Sequence, residues 1–268
     1  MIDWTQFAIG EHRIPCPGCK RGGRDKTMGI KVDHDGGVAH CFRCGLVINS
    51  RNPQPIATAI KPTRTSQKHQ TLSDYGHQLW QACKPIDGTA AAYLQARKCV
   101  IPPTDGDLRW HPALKHPGGY VGAALVALVT HAVTNEPLSL HRTWVTSSGK
   151  ANVDPPRMML GNHSTKGGVI RLYPDDAVSS GLGIAEGIET ALSLAHGFKP
   201  VWATIDAGHM KAFPVLDGIE ALTVCVDDDE TGRDAANVCG DRWHSAGREV
   251  LLVTHIGGDI NDLVREAA

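Results

Sequence analysis

The sequence has no apolar run long enough to cross a bilayer. The longest, Val121 to Val133, is interrupted by His131 and falls short of the roughly 20 residues a span needs. Behind Met1-Ile2-Asp3-Trp4 there is no basic segment leading into an apolar one, so no secretory signal and no membrane partner are expected. No Gly-x-x-x-x-Gly-Lys-[Ser/Thr] loop is present, which excludes a recognisable helicase motor. There is no internal repeat. The eight cysteines are not crowded into the small loop-rich framework of a secreted disulfide scaffold. A soluble, cytoplasmic protein is the expectation.

Net charge is also nearly absent: 27 Lys plus Arg face 28 Asp plus Glu, leaving −1. That balance is a cancellation. Residues 1–72 carry +6, residues 73–175 carry +3 and residues 176–268 carry −10. A basic front suits a polyanion and an acidic back suits a cation site. A hydrophobic content of 41% fits a globular chain, and 268 residues allow one large or two to three small domains.

What is present begins with two knuckles, Cys16-Pro17-Gly18-Cys19 and Cys41-Phe42-Arg43-Cys44, separated by 21 residues. Each offers two thiolates from a tight turn, with Gly18 and Gly45 relieving the backbone. Two such pairs make a sulfur shell that suits structural Zn²⁺. Neither knuckle opens a helix after a strand, which argues against redox pairs. His12, His34 and His40 lie nearby, but four cysteines already complete the shell. Between the knuckles, Met28 to Val32 and Val38 to Cys41 flank Asp35-Gly36-Gly37, the signature of a hairpin. Lys20, Arg21, Arg24, Lys26, Lys31 and Arg43 would draw a single-stranded nucleic acid to this module. Two readings of Phe42 stand open, a stacking platform for a base and the core aromatic of the ribbon.

From Asn49 to about Gln70 the chain is Pro, Thr, Ser, Gln and Lys with little periodicity, the composition of a linker. Helical spacing returns at Tyr75, Leu79, Ala82 and Cys83, and again over Ala90 to Ala96. Ala123 to Thr130 and Leu138 to Val145 predict an antiparallel pair across Thr134-Asn135-Glu136-Pro137. After Gly181, short apolar runs at 183–185, 201–205, 221–226 and 250–254 alternate with helices at 188–196, 235–245 and 261–266. That order predicts a parallel sheet covered on both faces.

Ligands of such sheets bind beyond the carboxyl ends of the strands. Ala185-Glu186-Gly187 and Val226-Asp227-Asp228-Asp229 both stand at strand ends, so Glu186, Asp227 and Asp229 should converge. Converging carboxylates repel unless a hard divalent cation, Mg²⁺ or Mn²⁺, joins them. Asp228 and Glu230 read as acids at a helix N-terminus. Glu189 reads as a solvated helix residue, and Asp206 has two readings, cleft and turn.

The Glu-Gly turn, Asp-x-Asp followed by Gly232-Arg233, and Gly258-Asp259-Ile260-Asn261-Asp262 resemble the Toprim domain of primases, topoisomerases and recombination proteins. Joined to a four-cysteine ribbon, they resemble the zinc-binding and Toprim primases of bacteriophages and plasmids. Tyr93 to Arg97, Leu108 to Pro112 and His141 to Trp144 are similar, more loosely, to the segment that precedes Toprim there. Gly45-Leu46-Val47-Ile48-Asn49 departs from the Gly-Asp that many relatives place after the second knuckle. The resemblance implies an α/β (α+β overall) chain in four parts. These are a β-rich zinc ribbon at 1–50, a linker at 51–71, a mixed α+β subdomain at 72–178 and a Toprim domain at 179–268. It makes Glu186 the acid/base or metal-organising carboxylate and Asp227 and Asp229 the magnesium ligands, with Asp259 or Asp262 in support. It implies a DNA primase that uses ribonucleoside triphosphates on a single-stranded DNA template, with a replicative helicase as a partner in trans. Arg142, Lys150 and Arg157 are the expected holders of the triphosphate and template, against the plainer reading of a solvated hairpin face. Lys31 and Arg43 would contact DNA. Two other functions share these parts, a non-catalytic recombination mediator and a Toprim nuclease. The wide gap between the knuckles and the 100-residue middle segment disfavour the mediator.

Overall fold

The computed structural model describes residues 2–19, 26–34, 36–41, 43–50, 52–56 and 68–254. The chain divides into two units, Met1–Thr65 and Ser66–Ala268. Phe42, Lys20, Arg21, Arg24, the centre of the linker, the 261–266 helix, Asp259 and Asp262 lie outside the described residues.

The first unit is a five-stranded antiparallel sheet in chain order: β1 (Gly10–Ile14), β2 (Met28–Asp33), β3 (Gly36–Cys41), β4 (Val47–Asn49) and β5 (Asn52–Ile56). The expected hairpin forms, with Met28 opposite Cys41 and Asp33 opposite Gly36, so that Gly36 and Gly37 belong to β3 rather than to the turn. Period-two alternation buries Met28 and Ile30 of β2 with Ala39 and Cys41 of β3. Strand β5 was not expected. Its Pro-rich composition reads as tether, yet an edge strand tolerates proline because its outer N–H groups need no partner.

The second unit joins two sheets. Helices α1 (Asp74–Ala82) and α2 (Gly88–Ala96) start at Ser73 and Asp87, whose side chains accept from the backbone N–H groups of Gly76 and Gly88. An antiparallel sheet follows, made of β6 (Leu108–Lys115), β7 (Val121–His131), β8 (Pro137–Trp144), β9 (Arg157–Met159) and β10 (Gly168–Val169). Its path is β10-β7-β8-β9, and β6 also pairs with β7. Then comes a parallel sheet of β11 (Gly181–Ala185), β12 (Val201–Ala203), β13 (Ala221–Val226) and β14 (Glu249–Thr254), in the order β12-β11-β13-β14. Helices α3 (Ile188–Leu194), α4 (Ala207–Ala212) and α5 (Glu230–Ser245) complete it. Among the described residues no helix is long and apolar enough to cross a membrane.

One core crosses between the two sheets. Tyr93 and Leu94 of α2, Leu125 and Ala127 of β7, and Ile188, Ala191 and Leu192 of α3 belong to a single cluster. The main chains of Ile170 and Ala203 also exchange hydrogen bonds of 2.8 and 2.9 Å. All seven residues of α3 are buried, so this helix is an internal layer.

Candidate functional site

The four cysteines converge. Cys16 Sγ and Cys44 Sγ are 3.6 Å apart, Cys19 Sγ and Cys41 Sγ 3.8 Å, and all four sulfurs lie within 4.8 Å of one another. A tetrahedral ion with metal–sulfur bonds of about 2.3 Å needs sulfurs about 3.8 Å apart, so the cluster fits structural zinc. Local backbone sets this up. The Gly45 φ of 73° is a left-handed turn that glycine reaches without a Cβ clash. At Gly18 the demand is space, since a Cβ there would stand 3.0 Å from Leu46. Backbone N–H groups of Cys44 and Arg43 draw the Cys41 thiol down to about 6, preparing a thiolate. Cys19, beside Cys44 and desolvated, is pushed up to about 12, the repulsion that a central dication removes. His12 is engaged elsewhere, with Nε2 at 2.7 Å from the Ala8 carbonyl oxygen. On the sheet, Lys31 joins His12, Arg13 and His40 around a groove of about 440 Å³. Arg43 is exposed.

The acids gather at the carboxyl ends of β11, β12 and β13 around a cleft of about 490 Å³. The acids Glu186, Glu189, Asp206 and Asp227 line it together with Lys150, Arg157, Arg97 and His141. Glu186 directly follows β11 and is half-buried. Burial, then the charges of Asp227, Asp206 and Asp229, push its carboxyl up to about 7. Asp206 serves in both of its readings. It lines the cleft, and its Oδ1 accepts from the His209 N–H at 2.9 Å to cap α4. The residue before it, Ile205, has φ 77°, a costly conformation for a β-branched side chain, held where the chain leaves β12 for the cleft.

Asp229 requires a first adjustment: it has a local role beside the expected one. It caps α5, its Oδ1 accepting from the Gly232 N–H at 2.6 Å, and it does not line the cleft. Its charge still reaches Glu186. Gly232 is required here, since a Cβ would stand 3.0 Å from both the Cβ and the carbonyl oxygen of Asp227. Asp228 pairs with Arg233 at 2.8 Å on the surface. Among the described residues only the cysteines are drawn together tightly enough to share an ion; the acids stand around the cleft.

Arg142 requires another. It sits between Leu140 and Trp144 on the face of β8 turned toward α1, 7% exposed, its Nη2 donating to the Met159 carbonyl at 2.9 Å. Neighbouring strand residues face opposite ways, so His141 reaches the cleft and Arg142 cannot. Lys150 and Arg157 do reach it. Arg171 is structural, its Nε 2.6 Å from Asp175 and its guanidinium 4.5 Å over Trp202.

Glu189 is the third. It is 7% exposed, its Oε1 accepting from the Tyr93 hydroxyl at 2.7 Å with Lys150 Nζ at 3.9 Å. Burial pushes its carboxyl up, but Lys150 and the Tyr93 hydroxyl outweigh that and hold it below the usual carboxylate range. Burial also keeps His141 neutral, pushed down to about 4. Tyr93, Arg97 and His141 lie in the loosely similar segments, where the resemblance assigns them no role; their convergence depends on which strand and helix faces meet.

Residues 181–268, with Glu186 and Asp227 at the strand ends, match the Toprim family model. This part of the chain is a Toprim domain. The segment before it, residues 70–172, matches a domain of unknown function, DUF7146. No curated protein matches the chain. Among solved structures, the primase fragment of the bacteriophage T7 primase-helicase protein is similar at 15% identity and a TM-score of 0.46. That alignment covers 96% of this chain and 95% of that one. The Aquifex aeolicus primase, with its zinc-binding and RNA polymerase domains, is similar at 13% identity and a TM-score of 0.46, over 96% of this chain and 76% of that one. A DNA primase domain from Pseudomonas aeruginosa aligns over 57% of this chain and 52% of that one, at 15% identity and a TM-score of 0.38. The cleft thus joins Toprim acids with basic residues of the DUF7146 segment.

Proposed function

We propose that the protein is a DNA primase, a nucleotidyltransferase that makes short RNA primers on single-stranded DNA. The observation that carries this reading is a cleft lined both by Toprim acids and by Lys150, Arg157 and Arg97 of the preceding segment. Primer synthesis joins a ribonucleotide hydroxyl to an α-phosphate and expels pyrophosphate. It therefore needs anion holders and a proton acceptor around one space. Lys150 and Arg157 hold the triphosphate. Glu186, at the end of β11, takes the proton of the attacking hydroxyl. Bound Mg²⁺ or Mn²⁺, held by Asp227 and Asp229 with Asp259 or Asp262 in support, would lower the hydroxyl's pKa and neutralise phosphoryl charge. Neutral His141 adds no charge to the cleft and has ring nitrogens to orient substrate oxygens.

In this reading the ribbon at 1–50 reads the template through Lys31 and Arg43. The linker tethers it to the catalytic residues of 72–178 and 179–268, and unwinding is left to a helicase in trans. The test incubates the protein with labelled ribonucleotides, Mg²⁺ and single-stranded templates. New short RNA, lost in Asp227→Ala, supports the primase. A shortened template would identify a nuclease, and a band shift without chemistry a recombination mediator.

A further inference from the structure

Glu189 is a carboxylate where carboxylates seldom sit. It lies in the first turn of the wholly buried α3 and borders the cleft. Its Oε1 is shared by two partners from distant parts of the chain, the hydroxyl of fully buried Tyr93 on α2 at 2.7 Å and Lys150 Nζ at 3.9 Å. A neutral glutamine would satisfy the Tyr93 hydroxyl equally well, since an amide oxygen also accepts. The charge answers to cations, Lys150 first and Arg157 after it.

Lys150 is the residue that needs help. It lies between β8 and β9 at the end of a tight turn, in which the Thr146 N–H donates to the Gly149 carbonyl at 2.7 Å. Its side chain is about a third exposed. A lysine on a turn has a flexible four-carbon stem and many rotamers to lose on binding. A fixed anion at 3.9 Å narrows that choice.

We infer that Glu189, braced by Tyr93, is a positioning residue that holds the Lys150 ammonium over the cleft for the triphosphate of the incoming nucleotide. This rests on the proposed function in taking the ligand to be a nucleoside triphosphate. In this role Glu189 acts through Lys150 rather than on the reacting atoms.

The experiment is a double-mutant cycle on the full chain with Glu189→Gln, Lys150→Ala and the double variant, reading KM and kcat for ribonucleotide incorporation. Equilibrium dialysis with labelled ATP and Mg²⁺ runs in parallel. Glu189→Gln should raise KM and the ATP Kd roughly tenfold, with kcat falling no more than about twofold, and have no further effect once Lys150 is alanine. Tyr93→Phe, a second variant that frees the carboxylate from its brace, should raise KM in the same direction by roughly threefold. Additive effects, or a Glu189→Gln effect on kcat and melting temperature with KM unchanged, overturn the inference and leave the primase reading standing. The same coupling in ATP binding without any primer made would keep the inference and remove the primase reading. No ATP binding by the wild type overturns it outright.

Discussion

The sulfur cluster and the carboxylate cleft are both sets of like groups that repel, yet the fold assembles them by opposite means. Each cysteine pair comes from one tight turn, and a single hairpin brings the two turns together, so the ligand set is complete within 29 residues. The acids come from the ends of separate strands, and two of them also serve locally: Asp206 caps α4 and Asp229 caps α5. The first arrangement does nothing but hold an ion. The second shares its charges between helix termini, basic residues and a cleft. A dedicated site should therefore fail as a whole, whereas a shared one should fail in separable pieces.

The largest effect tests the dedicated site. Cys16→Ser with Cys41→Ser should take zinc from one per chain to none and unfold the ribbon. Structural zinc contributes on the order of 10 kcal/mol to such modules. Metal analysis and loss of the ribbon's sheet signals check this, and an unchanged zinc content would break the comparison at its first term.

Next comes separability. Asp227→Ala removes a cleft carboxylate that caps no helix, so priming should fall about 100-fold or more with little change in melting temperature. Asp229→Ala should lower both, with about 1 kcal/mol lost through the cap to Gly232. Asp229→Asn should restore the stability and not the activity, because asparagine caps as well as aspartate. If the alanine and asparagine variants melt alike, Asp229 is not a working cap.

Glu186 gives a smaller effect with a defined sign. Its carboxyl rises from an ordinary 4.5 to about 7 in the fold, so the folded state holds the extra proton between those values. Stability from this group is complete below about 4.5 and is lost as pH rises through about 7. Glu186 is half exposed, so screening reduces the loss to on the order of 1 kcal/mol. Glu186→Gln should remove that slope from melting curves taken across the window, and Mg²⁺ should flatten it in the wild type. A slope that survives Glu186→Gln belongs to another group.

The same contrast explains what the sequence could disclose. Spacing alone specifies the cysteine shell, because both knuckles and their hairpin are local. Strand-end logic located Glu186 and Asp227, because alternating strands and helices dictate a parallel sheet and hence where its ligands lie. It misjudged Glu189, since an acid in a first helical turn is solvated only if the helix is an outer layer, and α3 lies inside. Arg142 failed for a related reason. One residue of register decides which face of β8 a side chain takes, and pairing with β7 and packing under α1 set that choice. Strand β5 was hidden by proline, which an edge strand accepts.

The smallest effect concerns Asp228, which stands between Asp227 at the cleft and Asp229 at the α5 cap and serves neither job. Its Oδ1 is 2.8 Å from Arg233 Nη1, with both side chains about half exposed. An exposed pair of this kind is worth roughly 0.5 kcal/mol or less, because water solvates either partner nearly as well as the other does. Asp228→Ala should therefore leave melting temperature, zinc content and priming within error of the wild type. A tenfold loss of priming in that variant would mean that the charge of the whole Asp227–Asp229 run, rather than individually placed oxygens, serves the cleft. The two clusters would then be alike in acting as units.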